Sequence, residues 1–383
     1  MNVALLRAID GNIGAAIALP VFFVRAAFKK GKIANPQRIL LIKFWGIGEA
    51  VLTLPAIRAV REKFPAAEIT LLASNRVSPV YEHVEYVDEI RIVPLTVAGL
   101  GKFILGNFRK FDLALDFEPY FYSSALIVGL CGKASAGYSH SLRGLLYDSR
   151  HRYNDAAHAC AQFLGVGAAI GAKGKLSLEP IPVDDETRRS VDRILSERGI
   201  ERNDFLVGIC AGAAESARER MWPAENFAAL ADMIIEKFGA KIAFVGSPGE
   251  KELNESVTSH MRRRDSAFSF AGVTNIQELF ELERRMSVFI SNDTGPMHIA
   301  AAQGVPTIGL FGPNLPVRFG PLGKNCAAIY KKTACSPCIN VHLGRIGGCA
   351  GRPMGKCMKE IGIDNVMYVF ENVYKQIRGG NKS

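Results

Sequence analysis

Buried strands alternate with helices twice along this chain, and that alternation limits the fold more than any single motif does. The first half opens on "RILLIK" (38–43), which reads as a strand buried on both faces. A glycine-containing loop, "FWGIGE", follows, then the helical pattern "AVLTLPAIRAVREKF". "AEITLLA", "EIRIVP" and "FDLALDF" (111–117) continue the series, each followed by a segment that can form a helix. A more polar stretch, 179–204, leads into a second half built the same way. There "FLVGIC", the loop "AGAAESARERMWP", the helix "AENFAALADMIIEKFG" and the strand "KIAFVG" repeat the scheme, and "DNVMYVFENVYKQIR" closes it as an amphipathic helix. Strands that alternate with helices pair in parallel and are covered on both faces. A chain of 383 residues is too long for one ordinary core, so two doubly wound α/β domains are expected, 35–178 and 179–383. Ligands of such sheets lie outside the carboxyl ends of the strands, and two such halves are expected to face a central cleft.

Lysine and arginine outnumber aspartate and glutamate 47 to 37, which favours a polyanionic partner. No finger, basic zipper or RNP-type motif is present, so nucleic acid is not expected. From Gly11 to Val24 run 14 residues without a charge, followed by Arg25, Lys29, Lys30 and Lys32. That run is short for a membrane span and holds Pro20, and "VRAAFKKGK" lacks a small-residue signal cleavage site. Leu5, Ile9, Ile13 and Ile17 recur at helical spacing. Residues 1–34 therefore read as a separable amphipathic segment lying on an anionic membrane surface, whose removal leaves a folded remainder. The alternative is a helix docked on the protein's own core.

Four polar loops stand at strand ends: 43–49, 211–220, 246–250 and 292–298. In the last, Asp293, Thr294 and Gly295 sit on the lip of a helix, with His298 in its first turn. Such residues cap helices, but the free N–H groups and partial positive charge of a helix start equally suit an anion. There is no phosphate-loop motif, no H-E-x-x-H and no G-x-S-x-G. Gly46-x-Gly48 lacks the third glycine of a dinucleotide fingerprint. No Asp-x-Asp is present to hold a divalent ion, and Asp116-x-Glu118, the nearest sequence, reads as a solvated strand end. Glu250, shortly after Gly246, either accepts the ribose hydroxyls of a nucleotide or simply starts a helix. Lys43, closing the first strand, can reach a diphosphate or an acceptor phosphate.

"RILLIKFWGIGEAVLTLPAIRAVREKFPAAEITLLAS", "MWPAENFAAL" and "SNDTGPMHIAAAQGVPTIGLFGP" together resemble glycosyltransferase family 9, the heptosyltransferases of the bacterial lipopolysaccharide inner core. The resemblance implies a GT-B fold of two Rossmann-like domains around a cleft. It also implies inverting, metal-independent sugar transfer from a nucleoside diphosphate, with ADP-heptose the usual donor and a membrane glycolipid the acceptor. The enzyme would then work at the cytoplasmic face of the bacterial inner membrane, with no cofactor needed for catalysis. An inverting transfer needs a base for the acceptor hydroxyl and a positive receptacle for the diphosphate. The resemblance places the base at Glu49, just after Gly48, where the family usually carries Asp. Arg220 matches by position a family residue that contacts phosphate, and Arg218 lies beside it. Thr294, Gly295 and a neutral His298 would complete the receptacle, with Asp293 orienting a neighbouring donor. A nucleotide-sugar epimerase on the same fold, or a non-catalytic protein that kept the donor pocket, are the competing readings. Glu49 in place of Asp is the feature that supports the last.

Cys335 and Cys338 form a C-x-x-C, with Cys349 and Cys357 downstream. Four thiols so spaced permit a structural zinc site, although the second pair is wider than in ordinary zinc ribbons. Reduced, separately buried thiols are the other reading.

Overall fold

The computed structural model describes residues 3–28, 34–345, 348–349 and 354–379 and divides into two compact units, Met1–Ser177 and Leu178–Ser383. The first unit is built on six strands: β1 (Arg38–Lys43), β2 (Glu68–Ala73), β3 (Glu89–Ile92), β4 (Phe111–Asp116), β5 (Gly132–Tyr138) and β6 (Ser149–His151). Its helices are α1 (Val3–Ala26), α2 (Ile47–Lys63), α3 (Val97–Asn107), α4 (Tyr122–Cys131) and α5 (Ala159–Ala168). The sheet order is β3-β2-β1-β4-β5-β6, parallel throughout, with Ile39 in register with Ile69 on one side and Leu113 on the other. β1 is central and buried, as its unbroken apolar run requires.

The second unit repeats this plan. Its strands are β7 (Leu206–Cys210), β8 (Lys241–Phe244), β9 (Ala267–Ser269), β10 (Val288–Asn292), β11 (Thr307–Phe311) and β12 (Ala327–Tyr330). Its helices are α6 (Asp185–Ser196), α7 (Ala224–Phe238), α8 (Lys251–Ser259), α9 (Ile276–Arg284), α10 (Gly295–Ala302), α11 (Pro316–Phe319), α12 (Lys356–Lys359) and α13 (Ile363–Gly379). The order β12-β11-β10-β7-β8-β9 is the first sheet's order written from the other edge. In both sheets the order reverses direction beside the first strand, between β1 and β4 and between β7 and β10. A crevice opens at the carboxyl ends of such a strand pair, because the two flanking crossovers leave in opposite directions. The topology therefore points to one candidate region in each unit.

The N-terminal segment differs from expectation. Instead of forming a separable anchor, α1 is docked on α4 and belongs to the first unit. Its Asp10 carboxylate accepts the N–H groups of Tyr122 and Ser123 at 2.7 and 2.9 Å, satisfying the open donors at the start of α4. Near its other end, Arg25 pairs with Asp148 at 2.6 Å and donates to Ser135 Oγ at 2.9 Å, both ionic groups nearly buried. Ala18 and Val21 join the core with Leu40, Val128 and Leu146. No described helix is long and apolar enough to cross a membrane.

Candidate active site

At the switch point of the first unit, β1 ends on Lys43, which is fully buried. Its Nζ lies 2.7 Å from Glu49 Oε2 and 3.1 Å from Glu118 Oε1. Glu49 stands in the first turn of α2, where the helix start favours a carboxylate. Gly46 precedes that helix with φ +78°, a backbone state open to glycine, and turns the chain sharply enough to bring Glu49 back over Lys43. Burial works against the ammonium, yet the Glu118 and Glu49 carboxylates outweigh it and hold the Lys43 pKa above its ordinary value. Lys43 is therefore a charged clamp on Glu49.

Glu118, two residues beyond the end of β4 at Asp116, accepts N–H groups from Phe44 at 2.5 Å and Trp45 at 2.8 Å on the same oxygen that meets Lys43. Its Oε2 has no hydrogen-bond partner among the described residues. Burial raises the Glu118 pKa, opposed by Lys43. Behind it, Asp116 pairs with Arg143 at 2.9 Å and accepts from Tyr147 Oη at 2.5 Å and Ser124 Oγ at 2.9 Å. Asp116 and Glu118 are both fully buried, so the reading of this pair as a solvated strand end is corrected. A strand end lying at the switch point is enclosed by the loops that converge there.

In the second unit the switch point lies between β7 and β10. Asn292, the buried last residue of β10, donates to Ala211 O at 2.8 Å and Gly212 O at 3.2 Å, while the Trp222 N–H donates to its Oδ1 at 3.0 Å. One amide thus ties together the β7 loop, the arginine loop and the start of α10. Thr294 is the N-cap of α10, with extended backbone, and its side chain caps no N–H. Pro296 carries no N–H, so the donors left open at this helix start are those of Gly295 and the residues after Pro296. Arg220 approaches them: its Nη1 donates to Asp293 O at 3.2 Å and lies 3.4 Å from Asp293 Oδ2, which also accepts from Asn314 Nδ2 at 2.9 Å. The Arg220 Nε–H is buried and unpartnered among the described residues. His298 is buried in the first turns of α10, its ring 6.3 Å from that of Phe319. The arrangement offers a guanidinium and helix N–H donors to one anion.

Two expected residues stand apart from that cluster. Arg218 is exposed. Glu250 takes the N–H and Oγ of Ser247 on Oε2, both at 2.7 Å, which is a capping box. Its other oxygen leans over Gly212, where a Cβ would sit 1.6 Å from it, so a side chain there would push the Glu250 carboxylate aside. Gly246 flanks the same carboxylate, its position for a Cβ 3.1 Å from the Glu250 Cβ.

The profile of glycosyltransferase family 9 (heptosyltransferase) matches residues 105–342, well over half of the chain. This chain belongs to glycosyltransferase family 9. It is a glycosyltransferase with the GT-B architecture. Among curated relatives, the lipopolysaccharide core heptosyltransferase OpsX of Haemophilus influenzae is 23% identical over 312 residues, 78% of this chain and 86% of that protein. A family 9 glycosyltransferase structure from Veillonella parvula superposes with a TM-score of 0.74 at 24% identity, covering 90% of this chain and 98% of the other. The structure of E. coli heptosyltransferase WaaC with ADP-2-deoxy-2-fluoro heptose superposes with a TM-score of 0.63 at 16% identity, covering 88% and 99%.

Within this family 9 enzyme, sequence reasoning gave Glu118 no part in the site and passed over Arg143 and Asn292. Asn292 stood inside a quoted motif and carried no role of its own. Arg143 lies far along the chain from Asp116, and nothing in the spacing joins them. The cysteine loop is a different matter. Cys335 is exposed, Cys338 and Cys349 are half-buried, Cys357 is buried, and none forms a disulfide. Burial pushes the Cys357 thiol up to about 11, with the three other thiols near enough to add to the effect. As placed, no three His, Cys, Asp or Glu groups among the described residues could hold a metal ion.

Proposed function

We propose that this enzyme transfers a heptose, with inversion, from ADP-heptose to a glycolipid acceptor of the lipopolysaccharide-core type, at the cytoplasmic face of the inner membrane. Glu49 is the base: its carboxylate takes the proton of the acceptor hydroxyl as that oxygen attacks the anomeric carbon. Lys43, 2.7 Å away, fixes the direction of that carboxylate before substrate arrives. Arg220, with its unspent Nε–H, and the N–H donors at the start of α10 take up the charge that grows on the departing diphosphate. Thr294 adds a hydroxyl at that helix start, and protein donors supply the positive charge throughout. The observation that carries the reading is the Lys43-clamped Glu49 at the switch point of the first sheet. The sugar and nucleotide are supported by the E. coli relative whose structure holds an ADP-heptose analogue.

The test is Glu49→Gln. As the base, its loss cuts kcat by roughly 10²- to 10⁴-fold while ADP-heptose binding, read by calorimetry, is retained. Glu49→Asp keeps substantial turnover, because the carboxylate is still present. Normal turnover by the Gln variant at saturating substrates would remove Glu49 from the mechanism.

A further inference from the structure

The outer faces of α1 and α3 form one apolar surface. Leu19 and Phe23 on α1 and Val97 and Leu105 on α3 are exposed, as are Phe28 and Phe108 just past the ends of the two helices. Phe23 is 64% exposed, Leu105 84% and Val97 88%, values that a helix covering its own core does not leave on several large apolar side chains at once. The two helices are joined at one end: the rings of Phe28 and Phe108 meet edge to face at 5.6 Å, and the Arg109 guanidinium lies 5.0 Å from the Phe28 centroid. Both helices rest on the same neighbour, α4. The surface is therefore two helices wide and belongs to the unit that carries Glu49.

Its charge has one sign. No acidic residue occurs from Gly11 to Gly48 or from Ile90 to Phe111. Over the same stretches the exposed Lys102 lies on α3, and Arg109 and Lys110 follow it. A second copy of the chain would set like charges against each other across a two-fold interface, which opposes self-association. An anionic bilayer presents the complementary arrangement, with acidic headgroups for the basic groups and acyl chains for the apolar side chains. We propose that the α1–α3 face is a built membrane-docking surface for an anionic bilayer, in which α3 is an equal partner of the N-terminal helix. This deepens the glycolipid-acceptor reading, because it attaches the base-bearing unit to the surface in which such an acceptor sits.

Full-length protein is mixed with vesicles of phosphatidylcholine alone or with one part in three of phosphatidylglycerol, and bound protein is measured by flotation. Binding to the anionic vesicles is expected, weakening as salt is raised. Phe23→Glu and Leu105→Glu should each lower the partition coefficient by about 10-fold or more, since a carboxylate then meets headgroups of its own sign. Both positions are exposed, and an unchanged melting curve verifies the fold of each variant. Three results overturn the proposal: wild-type protein that ignores anionic vesicles, a Leu105→Glu variant that binds like wild type, or variants that turn a dimer into a monomer with vesicle binding untouched. Glu49→Gln protein separates the two readings. If it floats normally while also turning over normally, the catalytic assignment fails and the docking surface stands.

Discussion

Glu118 gathers three N–H donors, from Lys43, Phe44 and Trp45, on one carboxyl oxygen and leaves the other oxygen without a partner. A glutamine amide oxygen can accept the same three donors, so the hydrogen bonding does not require a charge here. Burial raises the Glu118 pKa, and the Lys43 ammonium opposes that rise. Glu118→Gln is accordingly expected to keep stability within about 1 kcal/mol and most of kcat. Glu118→Ala strands a buried ammonium donor and two backbone N–H groups and should cost about 3 kcal/mol or more in urea unfolding. Equal losses in the two variants would mean that the negative charge, and not the acceptor oxygen, is what the site needs.

Helix α1 is held by charge at two points. Asp10 meets the start of α4, and Arg25 meets Asp148, so the helix is fixed against the sheet even where its outer face is apolar. Arg25→Met keeps much of the side-chain volume but leaves Asp148 with its principal cation gone. A loss of about 3 kcal/mol is expected by chemical denaturation, whereas a freely separable anchor would show none. In the second unit, α10 depends on its surroundings in a similar way. The Trp222 indole N–H donates to Ile361 O at 2.9 Å, just past α12, so the C-terminal segment supports the arginine loop from behind. Helix starts that bind anions must leave donors open, and the side chains around α10 brace each other without filling that opening.

On the scale of the molecule, stability should carry the mark of Glu283. This residue, in the last turn of α9, is fully buried, and neither carboxyl oxygen has a hydrogen-bond partner among the described residues. Burial alone pushes its pKa well above the ordinary value. The folded state therefore holds a proton that the unfolded chain releases above a pKa of about 4.3, and stability falls as pH rises through that value and beyond. Glu283→Leu removes the proton-linked cost. It should stabilise the protein on the order of 1–3 kcal/mol at pH 7 and by less at pH 4, measured by urea unfolding at both values. A gain independent of pH would show that the carboxyl is not the source.

The alternation of strands and helices was enough to give two doubly wound units, because each element's period depends on neighbours within a few residues. Residues 38–43, 206–210 and 288–292 became central strands for that reason, and the loops at their ends held Lys43, Glu49, Arg220 and Thr294. Strands β5, β6 and β12 were less legible, since "GKASAGY" and "AAIY" owe their strand state to pairing with β4 and β11. Burial at the switch points was decided only by tertiary structure. Asp116-x-Glu118 looks polar in sequence, yet the crossing of β1 and β4 encloses it and turns a surface motif into a buried ion network. Pairings such as Arg25 with Asp148, Arg143 with Asp116 and Asn292 with Trp222 join residues 27 to 123 positions apart. A sequence read locally carries the period of each element and the chemistry of each loop. It does not carry the long-range distances that decide which charges meet.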